Sequence, residues 1–126
     1  MAGSKKILFV EDDHFISDMY SRVLSKSGYT VDFAYTGTDG YAKAQSGGYD
    51  LILLDIMMPE MTGIEILHKL RGEDGSGLPD SRIIVLTNLA QDAASKDALK
   101  AKADGYLIKA DVVPSQLLEI IASLGI

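Results

Sequence analysis

Five short apolar runs punctuate the chain, and this alternation constrains the fold more tightly than any other feature. They are KILFV (Lys6 to Val10), TVDFAY (Thr30 to Tyr35), DLILLD (Asp50 to Asp55), RIIVLT (Arg82 to Thr87) and GYLIK (Gly105 to Lys109). A strand with one wet face alternates apolar and polar residues. Four of these runs are instead continuously apolar, which is the pattern of strands buried on both faces. TVDFAY is broken by Asp32 and is expected at a sheet edge.

The stretches between the runs carry helical spacing. Phe15, Ile16, Met19, Tyr20, Val23 and Leu24 form one apolar stripe. Asp13 is placed to cap that helix and Gly28 to close it. TGTDGYAKAQSGG reads as a short second helix ending in glycines. Ile64, Leu67, Leu70 and Arg71 lie on a third, followed by the loop GEDGSGLPD. AQDAASKDALKAKAD (Ala90 to Asp104) is alanine-rich and predicts a lightly packed fourth helix. Leu117, Leu118, Ile120, Ile121 and Leu124 predict a last helix with Pro114 in its first turn. Strands alternating with helices imply an α/β fold with a parallel sheet and right-handed crossovers. Five such units predict a doubly wound five-stranded sheet flanked by five helices. Folds of this kind bind ligands outside the carboxyl ends of the strands.

The length of 126 residues suits one domain. Residues 1–4 are expected to be a tag or a disordered start, and residues 5–126 the domain. A net charge of −6 argues against nucleic-acid binding by this domain. With no cysteine there is no disulfide framework and no thiolate metal site. No apolar run is long enough to span a bilayer, and MAGSKK lacks the apolar core of a signal peptide. A cytoplasmic location is therefore expected.

Function is sought at the strand ends. The first run ends in Glu11, Asp12 and Asp13, the third in Asp55, the fourth in Thr87 and Asn88, and the fifth in Lys109. In a parallel sheet these groups converge. Carboxylates crowded into one crevice repel each other, and a bound divalent cation relieves the repulsion. All the ligands on offer are oxygen, which points to Mg²⁺ or Mn²⁺ rather than zinc. Cation, ammonium and hydroxyl together form a cradle for a phosphoryl group. A carboxylate can serve as the nucleophile, and Asp55, on the most buried run, is the candidate. Asp13 is better explained as a helix cap than as a ligand. Met57, Met58 and Met61 read as packing or loop residues, and His14 and His68 as solvent-facing. Tyr41 and Tyr49 receive no role.

ILFVEDD, LILLDIMMPEMTG, IIVLT and GYLIK together resemble the receiver domain of two-component response regulators, over nearly the whole chain and in order. The resemblance implies a flavodoxin-like fold of strand order 2-1-3-4-5, similar to the chemotaxis regulators. It implies Asp55 as phosphoacceptor, charged from a sensor histidine kinase or a phosphotransfer protein. Glu11 and Asp12 match the acidic pair that organises Mg²⁺, with Asp12 the direct ligand. Met57 matches the position that lends a backbone carbonyl to the metal. Thr87 and Lys109 match the residues that contact the phosphoryl oxygens. Tyr106 matches the aromatic switch position. The face of the predicted fourth helix, fifth strand and fifth helix matches the output surface, for a partner or domain the sequence does not identify.

Three departures accompany the resemblance. Ala110 stands where the family usually has proline after a cis peptide. Such a bond before a non-proline costs about 3–4 kcal/mol, so the loop is either strained or follows another path. Asn88 stands where a small residue is usual. Met57 and Leu89 offer no polar side chain to an attacking water, so a long-lived phosphoryl group is expected. Two other functions compete. An aspartyl-nucleophile phosphatase needs a second acid two residues after the nucleophile, and Met57 stands there. No turnover of outside substrates is expected. A degenerate receiver acting as a constitutive binding module is opposed by intact Asp55 and Lys109.

Overall fold

A computed structural model describes residues 5–46, 48–55, 63–71, 82–87, 103–108 and 114–123. The elements are β1 (Lys6–Val10), α1 (His14–Lys26), β2 (Thr30–Ala34), α2 (Gly37–Ser46), β3 (Leu51–Asp55), α3 (Gly63–Arg71), β4 (Arg82–Thr87), β5 (Gly105–Ile108) and α4 (Pro114–Ser123). All strand pairings are parallel, in the order β2-β1-β3-β4-β5. The helix predicted over Ala90 to Asp104 falls mostly outside the described residues, as do the loop after α3 and the Lys109–Ala110 peptide.

The continuous apolar runs are explained by two cores, one on each face of the sheet. Side chains alternate along a strand, so each run feeds both. Leu8, Val10, Ile52, Leu54, Ile83 and Val85 pack with Ala44 of α2 and Ile66, Leu67 and Leu70 of α3. Ile7, Phe9, Leu51, Leu53, Ile84 and Leu86 pack with Tyr20 and Leu24 of α1 and Leu117 and Ile121 of α4. All five residues of β3, the middle strand, are buried. Pro114 begins α4, where its missing N–H has no intrahelical partner to lose.

α1 starts and stops where its sequence directs. The Asp13 carboxylate accepts from the backbone N–H groups of Phe15 (2.9 Å) and Ile16 (3.2 Å). At the other end Gly28 takes φ +96°, a conformation that side chains disfavour. The Tyr29 N–H then returns to the Leu24 carbonyl at 3.1 Å. The expected apolar stripe needs correction, however. Tyr20 and Leu24 are buried together with Ser17, whereas Phe15 is 79 % and Met19 39 % exposed. The six apolar residues cover about half the helix circumference, and only one side of that arc meets the sheet.

β2 is an edge strand, as its sequence predicts. Asp32 accepts a hydrogen bond from the Tyr49 hydroxyl at 2.8 Å, while the Lys6 ammonium lies 4.8 Å from the centre of the Tyr49 ring. Tyr49 thus ties the turn before β3 to the sheet edge, a role its sequence context did not reveal. Desolvation, then the hydrogen bond and negative charge of Asp32, and the charge of Asp39, push its phenol up from 10.0 to about 12. Because the folded state holds this proton more tightly, the associated stability is complete below pH 10 and is lost as the pH rises toward 12. Denaturant titrations should therefore show the advantage of wild type over Tyr49→Phe, about 1 kcal/mol at pH 8, shrinking between pH 10 and 12. An advantage independent of pH would contradict this account.

Candidate functional site

Strand register builds the site. Val10 pairs with Leu54, so Glu11 follows β1 at the level where Asp55 ends β3. The Glu11 N–H donates to the Ala34 carbonyl at 3.0 Å, which holds the segment after β1 against β2. The Glu11 carboxylate also accepts from the Asp13 N–H at 3.2 Å. One acid of the run is therefore turned inward, while Asp13 faces the helix it caps.

Glu11 and Asp55 are buried and Asp12 is exposed. One carboxylate oxygen from each lies within 4.8 Å of the others. Burial denies Glu11 and Asp55 water, and proximity makes carboxylates repel. The donor set is entirely hard oxygen, at a spacing one small divalent cation can bridge, so the residues present fit Mg²⁺. The exposed acid, Asp12, leaves the site open on the solvent side. Asp55, at the end of the central strand, is 2 % exposed.

The remaining residues named from sequence are placed less completely. Thr87 ends β4, one residue past Leu86, the register partner of Asp55, and pairs with Ile108. Tyr106 pairs with Val85 in β5. Only the backbones of Thr87 and Tyr106 are described. Met57, Asn88, Leu89, Lys109 and Ala110 lie outside the described residues. His14 and His68 are exposed, as expected, but His14 also stacks on Tyr35, with ring centres 3.8 Å apart. No described helix is long and apolar enough to cross a membrane.

Comparison with known proteins gives one consistent result. A family model described as the response regulator receiver domain matches residues 7–122. The chain is 38 % identical to the transcriptional regulatory protein CusR of Escherichia coli (strain K12) over 104 residues, covering 82 % of this chain and 44 % of that one. It is 38 % identical to the response regulator MprA of Mycobacterium tuberculosis over 123 residues, covering 96 % and 49 %. The chain spans about half the length of these curated relatives. Among solved structures, a CheY-like receiver domain from Methanospirillum hungatei JF-1 superposes with a TM-score of 0.84 at 38 % identity, covering 96 % of this chain and 93 % of that one. The receiver domain of the sensor histidine kinase PA1611 from Pseudomonas aeruginosa PAO1, solved with magnesium coordinated in its active-site cleft, gives 0.81 at 26 % identity, covering 94 % and 95 %.

Proposed function

This chain belongs to the response regulator receiver domain family of two-component signalling, and from that premise we propose that it switches by accepting a phosphoryl group on Asp55. The observation that carries the proposal is the convergence of Glu11, Asp12 and Asp55 at the carboxyl edge of the sheet. A sensor histidine kinase or phosphotransfer protein is the donor. A carboxylate oxygen of Asp55 attacks phosphorus, and the phosphorus–nitrogen bond of the donor phosphohistidine breaks. The imidazole nitrogen keeps the bonding pair, and Asp55 becomes a mixed anhydride. Mg²⁺, when bound, neutralises the crowded carboxylates and the incoming phosphoryl oxygens.

Glu11 and Asp12 hold that ion with Asp55 and the backbone carbonyl of Met57. Lys109 offers an ammonium and Thr87 a hydroxyl to the phosphoryl oxygens. Thr87 drawn toward the phosphoryl group opens space that the Tyr106 ring takes. The two-state equilibrium then shifts at the face formed by the predicted fourth helix, β5 and α4. The chain promotes its own phosphorylation and turns over no outside substrate.

The test is intact mass after incubation with acetyl phosphate, with and without Mg²⁺, followed by borohydride reduction and peptide mapping. One phosphoryl group that requires Mg²⁺ and maps to Asp55 is expected. No added mass, with acetyl phosphate or a phosphorylated sensor kinase, would overturn the proposal. It would favour a constitutive binding module, with Ala110 and Asn88 the first residues to revert.

A further inference from the structure

We infer that Asp104 is a positioning residue for phosphoryl chemistry, because it sets the register of the strand that carries Tyr106 and leads into Lys109. The inference rests on the roles assigned to those two residues above. β5 has four residues and lies at a sheet edge, so among the described residues β4 is its one neighbouring strand. A shift of one residue along that neighbour would turn every side chain of β5 to the opposite face. It would also displace whatever follows the strand by about 3.3 Å.

Asp104 resists such a shift with four contacts. Its N–H donates to the Ile83 carbonyl at 2.8 Å. Its carboxylate accepts from the Ile83 N–H at 2.7 Å, the group a strand carbonyl would otherwise satisfy in a continued parallel ladder. The same oxygen accepts from the Arg71 guanidinium at 2.8 Å, and the other lies 3.7 Å from the guanidinium of Arg82. Arg71, at the end of α3, has only 8 % of its side chain exposed, and Asp104 24 %. A charge-assisted bond to a buried guanidinium is stronger than an ordinary surface pair. Asp104 therefore fastens the start of β5 to both β4 and α3. The fastening lies at the opposite end of the sheet from Asp55, so it acts on the chemistry only through the strand.

This separation distinguishes positioning from general stabilisation. The three carboxylates of the site follow β1 or end β3, which Asp104 does not touch. Asp104→Asn, Asp104→Ala and Lys109→Ala are compared with wild type, all as the full chain and at a temperature where circular dichroism shows them folded. For Asp104→Ala, Mg²⁺ affinity is expected to stay at the wild-type value, while the rate of phosphorylation by acetyl phosphate falls about tenfold or more. Asp104→Asn, which keeps an acceptor for the Ile83 N–H, is expected to fall in between. A wild-type rate in folded Asp104→Ala, or a parallel loss of Mg²⁺ affinity, would overturn the inference. If Asp104→Ala does not fold, the pair Arg71→Met with Asp104→Asn takes its place, since it leaves no buried guanidinium facing a lost carboxylate. A wild-type rate in Lys109→Ala would instead count against the role given to Lys109.

Discussion

Asp55→Asn should end phosphoryl uptake and, in the same protein without metal, raise the stability of the fold. The first effect follows from losing the nucleophile. An amide oxygen attacks phosphorus poorly, so uptake should fall by about three orders of magnitude or more. The second follows from geometry. Glu11, Asp12 and Asp55 bring oxygens within 4.8 Å of one another, and two of the three residues are buried. At an effective dielectric of about 20, the repulsion between the two buried carboxylates, Glu11 and Asp55, costs about 3 kcal/mol, and the exposed Asp12 adds less. Removing one charge should therefore stabilise the metal-free protein by about 1–3 kcal/mol, read as the urea midpoint in EDTA. A variant that is both inactive and less stable would show that the cluster is not under electrostatic strain.

Magnesium should reverse that difference. An ion that binds the folded state alone adds about 2.7 kcal/mol at one hundred times its dissociation constant. The wild-type urea midpoint should rise with Mg²⁺ and level off only logarithmically. Asp12→Ala removes the exposed carboxylate and should abolish most of that rise, together with Mg²⁺-dependent phosphorylation. Its own stability in EDTA should match or exceed wild type, because a repelling charge is gone. If Asp12→Ala responds to Mg²⁺ as wild type does, the ion binds elsewhere.

Much of this was legible in the sequence because continuous apolar runs have few alternative fates. Residues Leu51 to Leu54 are apolar at every position, which suits a central parallel strand and little else. The strand-end rule then gathered Glu11, Asp12, Asp13, Asp55, Thr87, Asn88 and Lys109, and the register brings the first two together with Asp55. Other features depended on information a linear pattern does not carry. Phe15 and Met19 share helical spacing with Tyr20 and Leu24, but spacing alone does not say which edge of a broad apolar arc faces the sheet. Ser17, a hydroxyl-bearing residue outside the apolar pattern, is buried with Tyr20 and Leu24. Tyr49 finds Asp32, and Arg71 finds Asp104, across 17 and 33 residues of chain. Such pairings arise from topology rather than from local composition.

The order β2-β1-β3 has a consequence for the chain as it leaves the ribosome. β1 acquires its first neighbour once Ala34 has been made, but its other edge must wait for Leu51 to Asp55. The link from Lys6 to Asp50 spans 44 residues. At ordinary rates of synthesis the interval between the two strands lasts about 1–4 s. Throughout it, β1 presents one unpaired apolar edge, the kind that recruits strands from other chains. The docking event that closes this edge also carries Asp55 to Glu11 and passes the unpaired edge on to β3 until Arg82 to Thr87 arrive, so the acidic cluster is complete before the sheet that holds it.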